Sequence, residues 1–458
     1  YVCIFCIGVS MRVFNINLGI GWASSGVEYA QAYRYQVFKK MGIDAKFVFM
    51  DLITAENIEQ FTANLGFADE DIIWLYNFFS DIKIAPTTFT LDDLQKLIPG
   101  KPMKTERNDK IVTLHYENDF FVRAYTNAED SEIVQRAEYV SKGALIRKDY
   151  FSYTRYLREY FAPEDGKAKL YLRHFLNEDG SVAFAENIDG ESSRYIFKGK
   201  IIDNKEDLVG YMIERLKLKD DDVILMDRGT GIFQGVFENR GKSKLCSVIH
   251  AEHYSPNHVF ADNILWNNYY EYEFTRTDLV DAYICSTEVQ KETLARQFKK
   301  YQNVSPKIFD IPVGSLKELK VPERPRKAFS IITASRLAGE KHVDWIVNAV
   351  ILAKQEIPEL SLDIYGSGGQ ESYLKDICKE KCAQDYIYLK GHHSLEDIYQ
   401  NYEIFISAST SEGFGLSLLE AIGSGLAIIA LDVPYGNKVF VKNGKNGYLI
   451  PRVKPDDS

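Results

Sequence analysis

Cysteine is scarce in this sequence, with six in 458 residues at positions 3, 6, 246, 285, 378 and 382. Scattered so widely, they form no disulfide framework, and the usage fits a reducing compartment, the cytoplasm. Long apolar runs are missing as well. The nearest, Tyr1 to Met11, is broken by Gly8 and Ser10 and falls short of the roughly 18 residues that argue for a membrane-spanning helix. That stretch also lacks a basic leading segment, and residues 1–10 read as extra sequence upstream of the fold. Nor is there an excess of positive charge. The 55 basic and 65 acidic residues leave a net charge of −10, which argues against a surface built to hold a nucleic acid backbone.

What is present suits an ordinary globular protein. Apolar residues make up 45%, charged residues 26% and aromatics 13%, a composition that excludes disorder and collagen-like repeats. At about 150 residues per domain, the length implies two or three domains.

From Arg12 the chain reads as strand, glycine-rich turn and helix, and the helix stops at Gly42 before a second strand, Ala45 to Met50. Between about Lys110 and Lys200 short alternating runs rich in Tyr, Phe and Val are separated by turn-formers, the pattern of an antiparallel β-rich insertion. The α/β rhythm then resumes. Residues 314–327, GSLKELKVPERPRK, read as a linker. Beyond it, apolar strands near Ile331, Leu362, Ile387, Ile404 and Ile428 alternate with helical segments, as in a doubly wound parallel sheet. The expected boundaries are 11–66 and 205–313 for a first Rossmann-like domain, 67–204 for the insertion, and 328–458 for a second Rossmann-like domain, with a cleft between the two.

Several motifs carry chemistry. Gly19, Gly21 and Gly26 surround a turn ahead of a helix start, where exposed backbone N–H groups attract anions, although a plain tight turn explains them equally well. In SRLAGEK, Arg336 and Lys341 follow a buried strand and can neutralise a diphosphate without a metal; two solvated charges are the bland alternative. DIYGSGG, ending at Gly369, is another glycine-rich turn at a strand's carboxyl end. The block STSEGFGLSLLEAIGSG is the strongest. Its Glu412 precedes a helix expected to begin near Gly415, the amides of Gly413, Phe414 and Gly415 are free to point at a ligand, and Glu420 lies further along the helix. Carboxylates accept bonds from hydroxyls, so this pair suits a sugar and a ribose.

His250 and His253 in HAEH follow a strand, where either reads as a core histidine. Cys378, Cys382, His392 and His393 superficially suggest zinc, but their spacing is not a standard finger, and thiols on one helix face are the simpler reading. Asp220 to Asp222 read as a solvated turn. No essential metal or other cofactor is expected.

The two carboxylates eight apart, with Arg336 and Lys341 upstream, resemble the second domain of retaining family 4 glycosyltransferases with the two-Rossmann-domain GT-B fold. Longer stretches, NLGIGWASSGVEYAQAYR, IRKDYFSYTRYLREYFAPEDG, HAEHYS, ILWNNYYEYEF, ITASRLAGEKHVDW and EGFGLSLLEAIGSG, are similar to the catalytic A subunits of N-acetylglucosaminyltransferases that glycosylate serine-rich repeat adhesins. The resemblance runs from about Met11 to Pro451 and implies a set of roles. Gly26, Val27, Glu28 and Tyr29 would line the nucleotide side of the cleft; His250 would contact the donor sugar; Arg336 and Lys341 would hold the diphosphate. His392 and His393 would approach the base, Glu412 to Gly415 the sugar, and Glu420 the ribose. It departs from the pattern at His393 and at the ends, where residues 1–10 look foreign and a closing terminal helix is not reached.

The implied reaction moves N-acetylglucosamine from UDP-GlcNAc to Ser/Thr hydroxyls of a polypeptide. The leaving phosphate oxygen would take the acceptor proton, so no Ser-His-Asp arrangement is needed. The implied partner is a non-catalytic B subunit docked on the β-rich insertion, with peripheral membrane association expected. Tyr150, Tyr153, Tyr156 and Tyr160 offer aromatic area for that docking, or for tying the insertion to the first domain. Competing readings are a glucosyltransferase on the same acceptor, an enzyme for a small sugar or lipid acceptor, and a silent sugar-binding or chaperone subunit.

Overall fold

The computed structural model describes residues 11–21 and 26–452. The segment 1–10 with Cys3 and Cys6, the turn residues 22–25 and the tail after Arg452 lie outside the described residues. Two compact units emerge, one ending at Ser247 and adding Tyr272–Asp281, the other comprising Val248–Glu271 and everything from Ala282.

In the first unit a parallel sheet runs in the order Ile72–Trp74, Asp44–Phe49, Arg12–Asn17, Val223–Met226 and Lys244–Ile249. Its central strand is buried from Val13 to Asn17, because strands covered on both faces have no solvated side to make polar. Ile72–Trp74 falls inside the 67–204 span expected for the insertion, yet it pairs parallel with Asp44–Phe49. Three residues carry too little periodicity to reveal that. Asp222, read as a solvated turn, is fully buried and takes both the backbone N–H and the guanidinium of Arg12. Burial alone would raise its carboxyl, but the Arg12 bonds hold it below the usual range.

The insertion is a ten-stranded antiparallel meander from Lys104 to Ile202, with strands adjacent in chain order. One face is apolar at its first strands. Val112, Leu114, Val122, Ala124, Ala137 and Tyr139 pack under Leu91, Leu94 and Ile98, which come from a short helix started by a Thr90–Asp93 capping box. The other face carries a row of directly opposed residues, Arg123, Glu138, Lys148, Glu159, Arg173 and Glu186, one per strand and alternating in sign. Arg173 bonds both Glu159 at 2.9 Å and Glu186 at 3.0 Å. Opposite charges facing one another across strands fix the register that a period of two would otherwise let slip.

The second unit contains a six-stranded parallel sheet ordered Ile387–Gly391, Ser361–Tyr365, Ser330–Ala334, Ile404–Ser407, Ala427–Leu431 and Gly447–Ile450. Each of the five strands expected from the apolar runs is present. One core joins the sheet to the helix Val343–Ala353 through Val343, Ile346, Val347 and Val350; the other joins it to the helix Leu416–Gly423 through Leu418 and Ala421. The stretch read as a linker is mostly exposed, with Gly314 alone buried, and is anchored at two points. The Arg326 guanidinium donates to the carbonyls of Tyr402, Ser424 and Gly425, and Leu316 sits where any side chain at Gly423 would be.

This unit also takes in Val248–Glu271 and Ala282 to Val313, which the sequence reading gave to the first domain. Among the described residues no helix is long and apolar enough to cross a membrane.

Candidate functional site

Three loops at carboxyl ends of strands carry Arg336 and Lys341, the DIYGSGG glycines, and Glu412 to Gly415. After Ser330–Ala334 the chain turns through Arg336 and a single 3-10 turn, Gly339–Lys341, ending on His342 in the left-handed region. Glycines from the DIYGSGG turn support this loop. A β-carbon on Gly366 would stand 1.9 Å from the Ser335 carbonyl oxygen, and one on Gly368 would stand 2.4 Å from that of Leu337. Both glycines also have positive φ, +128° and +156°. Backbone bonds Ser335 N–H to Tyr365 O and Leu337 N–H to Ser367 O complete the join. The glycine turn is therefore a backing plate for the Arg336 loop, a role its sequence does not distinguish from ligand binding.

The third loop follows Ile404–Ser407 and leads into Leu416–Gly423, with Gly415 at φ +87° as the cap, so the helix begins where the sequence placed it. Lys341 Nζ donates to Glu412 Oε2 at 2.9 Å, and both side chains are only 19% exposed. Arg336 is mostly solvated, and its guanidinium bonds Glu340 at 2.6 Å. Each candidate cation is thus already paired with a carboxylate from an adjoining turn.

His250 is brought to the same place. A β-carbon on Gly413 would lie 2.1 Å from the His250 carbonyl oxygen, so only glycine fits there. The Tyr270 hydroxyl accepts from the N–H groups of both His250 and Ala251 at 3.0 Å, a clamp that nothing in the sequence signals. His253 separates cleanly from His250. It is fully buried, its Nε2 lies 2.7 Å from Gln297 Oε1 and its Nδ1 3.3 Å from the Tyr435 hydroxyl, and burial pushes its pKa down to about 4. That is a satisfied core histidine.

Glu420 lies on the helix after Glu412. Packing around its carboxyl raises its pKa, opposed by the Tyr399 hydroxyl. His392 and His393 follow Ile387–Gly391 and are exposed, with His393 Nε2 2.8 Å from the Lys390 carbonyl. Cys378 is buried in the core beside Leu374, whereas Cys382 is exposed with φ +51°.

In the first unit, Gly26 opens the helix Gly26–Met41 with open space where a side chain would go, Val27 is buried and Tyr29 is 44% exposed. Glu28 is 3% exposed, accepting from Asn17 at 3.2 Å and from Arg228 at 3.0 Å. Below it Arg34 grips Asp227 with two bonds of 2.9 and 3.0 Å, and Gln31 adds a third at 2.8 Å. This buried polar network joins the loops after Arg12–Asn17 and Val223–Met226. Asp227 and Arg228 were missed because DRGTG lacks any spacing tied to the first turn.

Comparison with known proteins agrees with this architecture. The model of the GtfA extended beta-sheet domain matches residues 104–199, and that of Glycosyl transferases group 1 matches residues 316–458. The solved pneumococcal O-GlcNAc transferase GtfA in complex with UDP and GlcNAc superposes with a TM-score of 0.95 at 53% identity, covering 98% of this chain and 89% of that one. A GtfA/B complex gives 0.89 at 53% identity, covering 97% and 90%. TarM from S. aureus, at 20% identity and TM-score 0.78 over 98% of this chain and 91% of that one, shares the fold.

These matches and the paired α/β units define a glycosyltransferase of the GT-B fold. The GtfA subunit of the UDP-N-acetylglucosamine–peptide N-acetylglucosaminyltransferase from Streptococcus agalactiae is 54% identical over 98% of this chain and 89% of its own length, and that from Streptococcus gordonii is 55% identical over 96% and 88%. The chain belongs to the family of these GtfA subunits.

Proposed function

We propose that this protein is a retaining glycosyltransferase that moves N-acetylglucosamine from UDP-GlcNAc to Ser and Thr hydroxyls of a serine-rich repeat polypeptide, as the catalytic subunit beside a non-catalytic B partner. The observation that carries this reading is the convergence of Lys341, Glu412 and the glycine turn against His250, in a chain more than half identical to enzymes named for that transfer.

In the proposed mechanism Arg336 and Lys341 stabilise charge growing on the leaving diphosphate, and the main-chain amides of Gly413, Phe414 and Gly415 hold the sugar beside Glu412. His250 contacts the sugar from the opposite side of Gly413. Glu420 takes the ribose, and His392 and His393 lie toward the base. Gly26, Val27, Glu28 and Tyr29 are proposed nucleotide contacts by family resemblance, with Glu28 acting through Arg228 and Asn17, which hold its carboxylate. The acceptor hydroxyl attacks on the face the diphosphate leaves, and the leaving oxygen takes its proton.

Two protein cations fill the electrostatic role of a metal, so the proposal includes activity without one. EDTA should leave turnover unchanged; loss restored by magnesium or manganese would reverse that part. A cytoplasmic location completes the reading on the strength of the cysteine usage, and the proposal adds peripheral contact with the membrane. The decisive assay compares UDP release from UDP-GlcNAc and UDP-glucose with a Ser/Thr-rich peptide and the B partner. UDP-glucose preference favours the glucosyltransferase alternative.

A further inference from the structure

Between His250 and Tyr270 the chain leaves the candidate site, forms a hairpin of Tyr254–Val259 and Ile264–Trp266, and returns. Its root is rigid. Asn267 donates from its backbone to the His253 carbonyl and from its side chain to that of Glu252, each at 3.0 Å, and Tyr270 clamps His250 and Ala251. Trp266 is buried against Phe298 and His253. The tip is pinned too, since the Tyr301 hydroxyl donates to the Phe260 carbonyl at 3.0 Å and the Phe260 N–H closes a turn on Asn263 at 2.9 Å.

On this fixed frame the apolar side chains face outward: Val259 is 41% exposed, Phe260 53%, Leu265 48% and Tyr269 63%. Apolar groups clustered in water and held still by hydrogen bonds are pre-organised to bury a ligand, because the ordering entropy is already spent. The backbone supplies a second feature. Tyr254 pairs with Trp266 and Val259 with Ile264, so Ser255 to His258 bulge away from the partner strand, and their residues are partly or fully exposed. A segment displaced from its partner strand in this way can bond an extended chain through the main chain of Ser255, Asn257 and His258, Pro256 having no N–H to offer.

We propose that this hairpin is the subsite for the extended acceptor polypeptide, gripping the chain next to the Ser or Thr that receives the sugar. The inference rests on the acceptor being a polypeptide, as proposed above. Continuity selects this occupant over a partner subunit or a lipid surface: the hairpin's root bonds every residue from His250 to His253, so whatever lies along it is directed at the sugar-holding loop.

The test uses the full chain co-expressed with its B partner. The triple variant Val259→Thr, Phe260→Ser, Leu265→Ser should raise the KM for a Ser/Thr-rich peptide by about tenfold, the loss of a central apolar anchor. UDP-GlcNAc hydrolysis without acceptor should stay within about twofold, as should UDP affinity. An unchanged peptide KM overturns the proposal. So does lost co-purification of the B partner, or lost flotation with anionic phosphatidylserine vesicles, at unchanged peptide KM, each of which names another occupant. If hydrolysis also falls, Phe260→Ser alone, beyond the pinned carbonyl, decides by the same KM comparison. Should the unmodified complex hydrolyse UDP-GlcNAc yet glycosylate no peptide, the polypeptide reading itself fails, whatever the variants do.

Discussion

Gly413 is where the reading of single residues is most exposed to test. Its β-carbon position is occupied by the His250 carbonyl, so Gly413→Ala must push the two loops apart. A displacement near 1 Å costs about a hundredfold in rate, and the variant should fold, bind UDP and transfer about a hundredfold more slowly. Lys341 and Glu412 form the second test. Sequence alone suggests separable roles, diphosphate for one and sugar for the other, but their 2.9 Å bond ties them. Lys341→Ala and Glu412→Gln should each weaken UDP binding, and the double variant should show a coupling of roughly 1 to 3 kcal/mol by calorimetry. Additive effects would separate the roles again.

His253 gives a pH test. Its pKa falls from 6.5 to about 4 on folding, so the folded state keeps it neutral while the unfolded chain takes a proton. Its stabilisation is fully present above pH 6.5 and is lost as pH drops toward 4, by about 3 kcal/mol in all. Denaturant unfolding from pH 7 to 4 should show that loss in the parent and its absence in His253→Asn.

At the scale of elements, periodicity and turn chemistry carry much of the information. The run IITA announces a strand buried throughout, IFIS and AIIAL announce strands that are only partly buried, and the start of Leu416–Gly423 follows from EGFG because only a glycine takes φ +87° there. The β-rich insertion is legible from its alternation, but its sheet begins at Lys104, and Ile72–Trp74 lies outside it, in the parallel sheet. Functions set by tertiary contact were not legible. The DIYGSGG turn looks like a ligand loop and serves as support for Arg336; the Tyr270 clamp and the Asp227–Arg34 pair join residues 20 to almost 200 positions apart. Gly368→Ala, with its β-carbon against the Leu337 carbonyl, should therefore impair donor use by shifting Arg336, visible as a raised KM for UDP-GlcNAc with peptide KM unchanged.

For the whole molecule, the insertion's aromatic residues decide how independent it is. Tyr150 and Tyr156 are buried, the latter 5.8 Å from Trp74, and Phe175 stacks on Tyr76 at 5.1 Å. Phe79 meets both Phe184 and Phe197 from the insertion and stacks on Tyr211. Those tyrosines are mainly structural, so replacing residues 104–199 by a short Gly/Ser bridge should expose this aromatic surface and lower thermal stability sharply, rather than yield a soluble enzyme. The central claim is the transfer itself. Its most direct measurement is mass spectrometry of a Ser/Thr-rich polypeptide incubated with this chain, its B partner and UDP-GlcNAc or UDP-glucose. N-acetylhexosamine should appear on Ser and Thr, matched by UDP release and abolished by Lys341→Ala; an unmodified peptide, or hexose from UDP-glucose alone, would contradict the transfer.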